Sequence, residues 1–246
     1  MKRLDKNKLP THLAIIMDGN GRWAQKRLLN RVLGHRKGID AVRRVVRLCR
    51  NIGIPYLTLY AFSNENWNRP SREVSALMKL LESYLFKELP EMMENSIKLA
   101  AIGRLDLLPS SAKKTLDRCV KETENNKGMV LNLALSYGGR TEIIDAVRKV
   151  ADDLKEGRVK AEEITEEGFS GYLYTAGMPD PDFLIRTSGE MRVSNFLLWQ
   201  IAYAEIYVTD TLWPDFGEDD LINALLDFQK RERRFGLTGS QIARMK

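Results

Sequence analysis

The sequence predicts a single α/β domain with a central, largely parallel, six-stranded sheet flanked by helices. Short apolar runs alternate along the chain with longer stretches that repeat apolar residues at helical spacing. The 246 residues, 43% of them hydrophobic, can bury one substantial core, and no linker or internal repeat divides them. We therefore expect residues 1–246 to form one domain.

The predicted strands and helices alternate in chain order. Each strand is a short apolar run that is too brief for an independent helix and suits a sheet covered on both faces. Strands are predicted at residues 12–17, 56–61, 98–102, 130–135, 183–185 and 206–208. Helices are predicted at residues 39–51, 71–95 and 141–155. The most polar stretch, residues 152–167, indicates a solvated surface between helices.

Composition limits the class of partner and the compartment. The net charge of +6 favours an anionic partner, which includes nucleic acids, membrane surfaces and phosphorylated small molecules. A nucleic-acid module is disfavoured because the arginines in the polar motifs follow strand ends rather than one helix or stripe. Two cysteines make neither a disulfide framework nor a zinc site and indicate buried residues in a reducing compartment. No apolar segment could span a bilayer and the N-terminus lacks a signal-peptide core, so we expect a cytoplasmic protein.

A first polar motif follows the first strand, where the apolar run ends at Asp18, Gly19, Asn20, Gly21 and Arg22. Ligands of open α/β sheets gather at such strand ends, and glycines let the backbone approach them closely. A carboxylate at this point can hold Mg²⁺, while an arginine and backbone N–H groups can hold diphosphate oxygens. The alternative is a turn into a helix, with Asp18 as a cap and the glycines as turn formers.

A second motif, residues 60–70, is a polar loop built around aromatic residues after the second strand. Parallel strands end at one edge of a sheet, so Ser63, Asn66 and Arg69 can converge on the pocket that contains Asp18. The alternative is a cap before the helix from residue 71, with Trp67 as a buried anchor.

A third motif, residues 185–196, places two arginines and two serines around one glycine. The forked side chains of Arg186 and Arg192 match phosphate oxygens, which indicates a second diphosphate site. Glu205 lies in an otherwise apolar run and is a poor residue to bury alone. It completes a magnesium site, pairs with an arginine, or faces the surface.

Together these motifs resemble the cis-prenyltransferases, in particular the bacterial undecaprenyl diphosphate synthases. The resemblance runs from about residue 9 to about residue 236 and rests on five blocks in family order: residues 12–24, 34–35, 62–63 with 65–70, 137–140 and 186–200. It implies condensation of isopentenyl diphosphate onto an allylic diphosphate such as farnesyl diphosphate, with each new double bond in the Z configuration. It further implies an undecaprenyl product used as a cell-wall lipid carrier.

The resemblance also implies roles for individual residues. Asp18 becomes the catalytic, magnesium-associated carboxylate, Glu205 supports the metal, and Asn66 is a catalytic residue in the second motif. Asn66 is a weak base, and the released diphosphate is at least as good a proton acceptor. The allylic diphosphate would be bound by Gly19, Asn20, Gly21, Arg22, Arg31 and His35. Isopentenyl diphosphate would be bound by Arg186, Arg192 and Ser194, with Arg69 nearby. Further candidate substrate contacts in the same motifs are Trp23, Ser63, Glu65 and Trp67.

A growing polyprenyl chain requires an apolar product tunnel. The helix predicted at residues 71–95 offers candidates, although tunnel-lining and core-facing residues carry the same pattern. The candidates are Leu77, Met78, Leu81, Leu85, Met92 and Met93. The resemblance also implies a homodimer, formed through residues 196–208 and 231–236. Transient contact with a membrane surface would accompany product release.

Rival functions must use the same residues. A magnesium-dependent phosphohydrolase would need a further acidic cluster or an activated nucleophile, and neither stands out. All-helical prenyl synthases use Asp-Asp-x-x-Asp motifs, which the pairs at residues 152–153 and 219–220 do not complete. A non-catalytic prenyl-diphosphate-binding subunit would lose the Asp-Gly-Asn-Gly-Arg loop, which is complete at residues 18–22.

Overall fold

A computed structural model describes residues 4–232, and every strand pairing in its six-stranded sheet is parallel. The strand order is β3-β4-β2-β1-β5-β6. The strands are β1 (His12–Ile16), β2 (Tyr56–Ser63), β3 (Lys98–Ile102), β4 (Val130–Tyr137), β5 (Phe183–Arg186) and β6 (Glu205–Val208). All six predicted strands are present, which confirms the predicted α/β fold.

Seven α-helices are described on this frame. They are α1 (Asn20–Gln25), α2 (Arg31–Ile52), α3 (Ser71–Glu94), α4 (Ser110–Glu122), α5 (Gly139–Lys155), α6 (Glu166–Ser170) and α7 (Glu218–Phe228). The central strand β1 is buried at all five positions, as expected for a parallel sheet covered on both faces. Both cysteines lie buried on helices as free thiols, as predicted. Within residues 4–232, no helix combines the length and hydropathy that crossing a bilayer requires.

Helix α2 begins at Arg31, well before the predicted start at residue 39. Asn30 caps it, because the Asn30 side chain accepts a hydrogen bond from the backbone N–H of Leu33. Gly34 and Gly38 lie inside the helix, and their low helix propensity hid its first turns from the sequence pattern.

These two glycines let α1 pack directly against α2. A Cβ atom on Gly34 would lie 2.1 Å from the backbone oxygen of Asn20, and one on Gly38 would lie 2.3 Å from Asn20 Oδ1. The first residue of α1, Asn20, therefore packs against the backbone of α2 at Gly34 and Gly38.

A line of hydrogen bonds crosses three strands inside the sheet. The carbonyl oxygen of Pro179 can only accept, so His12 Nδ1–H donates to it at 2.6 Å and Nε2 accepts from Thr58 Oγ1 at 2.6 Å. Asn132 Nδ2 in turn donates to Thr58 Oγ1 at 3.1 Å. Burial lowers the pKa of His12 more than the Pro179 carbonyl and the Asp182 charge raise it, so the ring is neutral at pH 7.

Candidate active site

The predicted site lies where the chain changes direction across the sheet. From β1 the chain passes to β2 on one side, and it returns later to β5 on the other side of β1. Such a switch point leaves a crevice at the carboxyl ends of the strands. Asp18 follows β1, and Arg186 ends β5 in register with Ile16, so the two side chains emerge together.

The Asp18 carboxylate accepts two hydrogen bonds and lies close to a second arginine. Arg186 Nη2 donates to Asp18 Oδ2 at 2.8 Å, and the backbone N–H of Gly19 donates to Oδ1 at 2.6 Å. Arg22 Nη2 lies 3.5 Å from Oδ2. Burial raises the pKa of Asp18, but the hydrogen bond and charge of Arg186, the Gly19 N–H and the charge of Arg22 outweigh it. The pKa is therefore below its usual value, and the carboxylate is ionised at pH 7.

Gly19 makes the turn that exposes this carboxylate. Its φ of 106° is in the left-handed region, and a Cβ atom there would lie 2.9 Å from Leu212 Cδ2. The chain does turn into a helix here, as the alternative proposed, but Gly19 rather than Asp18 is the N-cap residue.

Arg186 joins Asp18 to the third motif. The side chain is 4% exposed, and Nη1 donates to Ser194 Oγ at 2.7 Å and to the carbonyl of Arg192. Its Nε is buried and has no partner among the residues that the structure describes. Arg186 and Ser194 thus contact each other, and Arg186 retains one unused donor.

A polar cleft opens beside Asp18 and brings together most of the predicted diphosphate-binding residues. It is lined by Met17, Asp18, Gly19, Asn20, Gly21, Arg22, Arg31, His35, Arg69, Glu190 and Arg192. Arginines outnumber carboxylates in this lining, and Arg31 has no charged or hydrogen-bonding partner within residues 4–232. The excess of positive charge suits a multiply charged anion.

Glu190 is a cleft residue that the sequence reasoning missed. Arg22 Nη1 lies 3.2 Å from Glu190 Oε1, and Arg192 Nη1 donates to Oε2 at 2.5 Å. One carboxylate therefore bridges two arginines that were predicted to bind different diphosphates. Its position in the sequence, between Arg186 and Arg192, was the observation from which its pairing with an arginine could have been predicted.

His35 lines the cleft as a neutral ring. Burial, with the charges of Arg69 and Arg31, lowers its pKa to about 4, although the charge of Glu73 opposes the shift. Its Nε2 lies 3.9 Å from Glu73 Oε1, which in turn accepts from Arg69 Nη1 at 3.0 Å. Arg69 and Arg31 repel a proton from His35, and an anion bound between them would reduce that repulsion.

A second, apolar cleft continues from the polar one. It encloses about 940 Å³, its open mouth included, and lies between α2, α3 and the sheet. The two clefts share four lining residues: Met17, Asn20, His35 and Arg69. Helix α3 contributes Leu77, Met78, Leu80, Leu81 and Tyr84 to the apolar cleft. Of the other tunnel candidates, Leu85 and Met92 lie in the core and do not line this cleft, and Met93 is exposed.

The second motif reaches the clefts only in part. Asn66 and Arg69 line the apolar cleft, and Asn66 Oδ1 also accepts the backbone N–H of Ser63 at 3.1 Å. Ser63, Glu65 and Trp67 line neither cleft. Glu65 Oε1 accepts from Asn195 Nδ2 at 2.9 Å.

Two tryptophans named as substrate contacts serve as anchors. Trp67 Nε1 donates to Ser136 Oγ at 2.9 Å, and its ring packs edge-on against Phe62. Trp23 is buried and donates from Nε1 to Asp215 Oδ1 at 2.7 Å. The contacts of Trp67 are those expected of an anchor before α3. Neither Trp67 nor Trp23 lines a cleft.

Glu205 lies at the opposite edge of the sheet from Asp18. It begins β6 in register with Phe183, level with Leu13 of β1, so roughly 16 Å of strand separates the two carboxylates. Its Oε2 accepts from Arg231 Nη1 at 3.0 Å, which is the arginine pairing that the sequence left open. Within one chain Glu205 cannot share a metal with Asp18. The strand was predicted to begin at residue 206, and that start already implied that Glu205 lies at the amino end of β6, away from the edge that holds Asp18.

The described residues hold no group of three or more histidine, cysteine or acidic side chains arranged to bind a metal. Two carboxylates, Asp18 and Glu190, line the polar cleft. Mg²⁺ usually takes one or two carboxylates together with substrate phosphates and water. An ionised, partly exposed Asp18 fits a magnesium site that a bound diphosphate completes.

An ionised carboxylate and several arginines at the switch point, continuous with an apolar cleft, define a site for an anion attached to an apolar chain. A family model described as "Putative undecaprenyl diphosphate synthase" matches residues 16–236. The chain belongs to this prenyltransferase family, and it is an enzyme of the cis-prenyltransferase type.

Individual relatives agree over nearly the whole chain. An isoprenyl transferase of Geobacter sulfurreducens is 54% identical over 242 residues and covers 98% of both chains. One of Bacillus subtilis is 52% identical, over 94% of this chain and 89% of its own. Lavandulyl diphosphate synthase of Lavandula x intermedia, solved with dimethylallyl diphosphate, superposes with a TM-score of 0.91 at 38% identity, over 94% and 99% of the two chains. A probable undecaprenyl diphosphate synthase of Campylobacter jejuni gives 0.76 at 32%, over 92% and 98%.

Proposed function

We propose that this enzyme condenses isopentenyl diphosphate onto an allylic diphosphate, with farnesyl diphosphate as primer and undecaprenyl diphosphate as product. The observation that supports it most is the continuity of the polar and apolar clefts through four shared residues. A substrate with a diphosphate head and a hydrocarbon tail would fill both. The apolar cleft is then the product tunnel, with the side chains of α2, α3 and the sheet around the hydrocarbon tail.

The residues of the polar cleft would stabilise the leaving group. Ionising the allylic diphosphate breaks its carbon–oxygen bond and leaves negative charge on diphosphate, beside Arg22 and Arg31. Both arginines are carried by helices, Arg22 by α1 and Arg31 by α2. After the carbon–carbon bond forms, one proton leaves; its acceptor is the released diphosphate or Asn66, which lines the apolar cleft.

We further propose Mg²⁺ as the cofactor, with Asp18 and the diphosphate oxygens as its ligands. The lowered pKa of Asp18 keeps it in the ionised form that a metal requires. When bound, Mg²⁺ supplies positive charge that neutralises the departing diphosphate.

Isopentenyl diphosphate would occupy the side of the polar cleft formed by the third motif. The Arg192 side chain is more than half exposed and pairs, within residues 4–232, with Glu190 alone, so it can turn toward an incoming phosphate. Arg186 has its unused Nε donor, and Ser194 lies against it. The first diphosphate to bind would compete with Glu190 for an arginine.

We also propose a cytoplasmic homodimer that contacts a membrane surface transiently, and a role in supplying the cell-wall lipid carrier. The edge strand β6 exposes Ile206, and Tyr203 precedes it, which offers an apolar surface to a second copy. Phe196 and Leu197 are fully buried and would not take part. Of the predicted C-terminal contribution, residues 233–236 lie outside the described residues.

A primer-extension assay tests the proposed function. Radiolabelled isopentenyl diphosphate is supplied with allylic primers of several lengths and with Mg²⁺, and the products are separated by chromatography. We expect chain extension, and Asp18→Ala should slow it by roughly 10³-fold or more. Asp145→Ala is the matched control, since Asp145 also pairs with an arginine, Arg104 at 2.8 Å, but lines neither cleft.

The same assay separates the alternatives. Release of inorganic phosphate without chain growth would identify a phosphohydrolase. Primer binding without turnover would identify a non-catalytic subunit. Either result would overturn the proposal, as would Asp18→Ala turnover equal to that of Asp145→Ala.

A further inference from the structure

The turn between α1 and α2 exposes apolar side chains that nothing in the described chain covers. Leu28 is 97% exposed, Leu29 is 41% exposed, and Leu33 in the first turn of α2 is 38% exposed. Leu28 also has a φ of 56°, in a region that leucine rarely adopts. Leu28 therefore contributes almost no buried apolar surface to the folded monomer.

Unpaired positive charge surrounds these leucines. Residues 25–37 contain no aspartate or glutamate. Lys26 and Arg36 are exposed and have no partner within residues 4–232. The nearby carboxylate of Asp215 is already occupied, because it pairs with Arg27 at 3.3 Å. We call Lys26, Leu28, Leu29, Leu33 and Arg36 the basic apolar patch.

The basic apolar patch lies at the mouth of the site. Helix α1 begins in the polar cleft with Asn20 and ends three residues before Leu28, while α2 begins at Arg31, another cleft residue. A segment bounded at both ends by cleft residues lies beside the polar cleft, at the carboxyl edge of the sheet.

We propose that the basic apolar patch docks the enzyme on an anionic bilayer surface. The leucines would enter the boundary between headgroups and acyl chains, while Lys26 and Arg36 would contact anionic headgroups. The purpose of docking, to pass an apolar product into lipid, rests on the proposed function; the docking itself rests on exposure and charge.

Other occupants fit the patch less well. In a two-fold dimer formed through it, the patch would meet its own copy, and the unpaired cations would face like charges. A nucleic acid would satisfy the cations but would leave Leu28 in water. An anionic bilayer satisfies both kinds of side chain.

Vesicle binding of the full chain, without substrate, tests the proposal. The probes are vesicles of phosphatidylglycerol with phosphatidylcholine, and of phosphatidylcholine alone. We expect Leu28→Ser/Leu29→Ser to weaken partitioning into the anionic vesicles by roughly tenfold or more. Lys26→Ala/Arg36→Ala should weaken it by about fivefold per charge at low salt and little at high salt.

The control is Leu154→Ser/Ile164→Ser, which removes two apolar side chains that are each 38% exposed and line neither cleft. It should partition like the wild type, and all three variants should keep wild-type turnover without vesicles. Equal partitioning by the leucine variant and the wild type would overturn the proposal. So would loss of a dimer by the leucine variant in sedimentation equilibrium, which would make the patch an interface between copies. Vesicle binding without any condensation activity would instead refute the proposed function alone.

Discussion

Gly34→Ala should destabilise the enzyme and slow it, although helix propensity predicts the reverse. Inside a helix alanine is more favourable than glycine by about 0.8–1.0 kcal/mol. At this position, however, the new Cβ atom would lie 2.1 Å from the backbone oxygen of Asn20 and 2.9 Å from its carbonyl carbon. Because an ordinary carbon–oxygen contact is roughly 3.3 Å, the Asn20 backbone would have to retreat by roughly 1.2 Å.

That displacement sets the expected magnitudes. Overpacking of this kind costs about 1–3 kcal/mol, so the propensity gain leaves a net loss of up to about 2 kcal/mol in the free energy of unfolding. Asn20 lies within the cleft-lining segment that runs from Met17 to Arg22. A misplacement of about 1 Å in positioning groups can lower the rate by roughly 10²-fold. Gly38→Ala should do less, since its Cβ would meet a side-chain oxygen of Asn20 that can rotate away.

Urea unfolding and kcat/KM with radiolabelled isopentenyl diphosphate measure the two effects. Gly168→Ala in α6 is the matched control, because its Cβ would meet nothing closer than 3.4 Å, at Thr165 Oγ1. It should be at least as stable as the wild type and fully active. If Gly34→Ala is also as stable as the wild type and has an unchanged kcat/KM, the tight packing of α1 on α2 is not what positions the diphosphate loop.

Three further predictions concern the clefts and the histidines. Arg192→Ala should raise the KM for isopentenyl diphosphate more than that for the primer, and Arg31→Ala should do the reverse; equal effects in both variants would contradict the assignment of the two diphosphates. Leu81→Trp should shorten the product by filling the apolar cleft, whereas Leu85→Trp should lower the melting temperature at wild-type product length; the same product from both variants would exclude this cleft as the tunnel. Burial lowers the pKa of both histidines, that of His35 to about 4. The stability that they contribute is therefore complete above their unfolded pKa of about 6.5 and declines as the pH falls from there; a urea midpoint that stays constant from about pH 7 to about pH 5 would refute this.

The sheet could be predicted because parallel strands buried on both faces appear as short apolar runs. The bounds of β3 match the prediction at both ends, and β1 differs by one residue. The first turns of α2 could not be predicted, because Gly34 and Gly38 are explained only by contact with Asn20. The contact is between α1 and α2, and the spacing of apolar residues within one helix carries no information about it.

The edge that holds the site was predictable from topology, but the ion pairs within it were not. Parallel strands end together, which placed Asp18 and Arg69 at one crevice. Nothing in the sequence indicates that Arg186 donates to Asp18, 168 residues away, or that Glu190 bridges Arg22 and another arginine. Such pairing depends on side-chain directions that only the folded chain defines.

The line of hydrogen bonds from His12 through Thr58 to Asn132 has a consequence for how the strands align. A strand buried on both faces lacks the alternation that normally selects one register, and β1 is buried throughout. Sliding β2 by one residue would part Thr58 from Asn132, its register partner, and from the ring of His12, at about 1–3 kcal/mol for each polar group left buried and unpaired. The hydrogen bonds among these three side chains therefore favour one strand register over its neighbours. They keep β1 and β2 level, so that the loops after these strands reach the crevice at the same height.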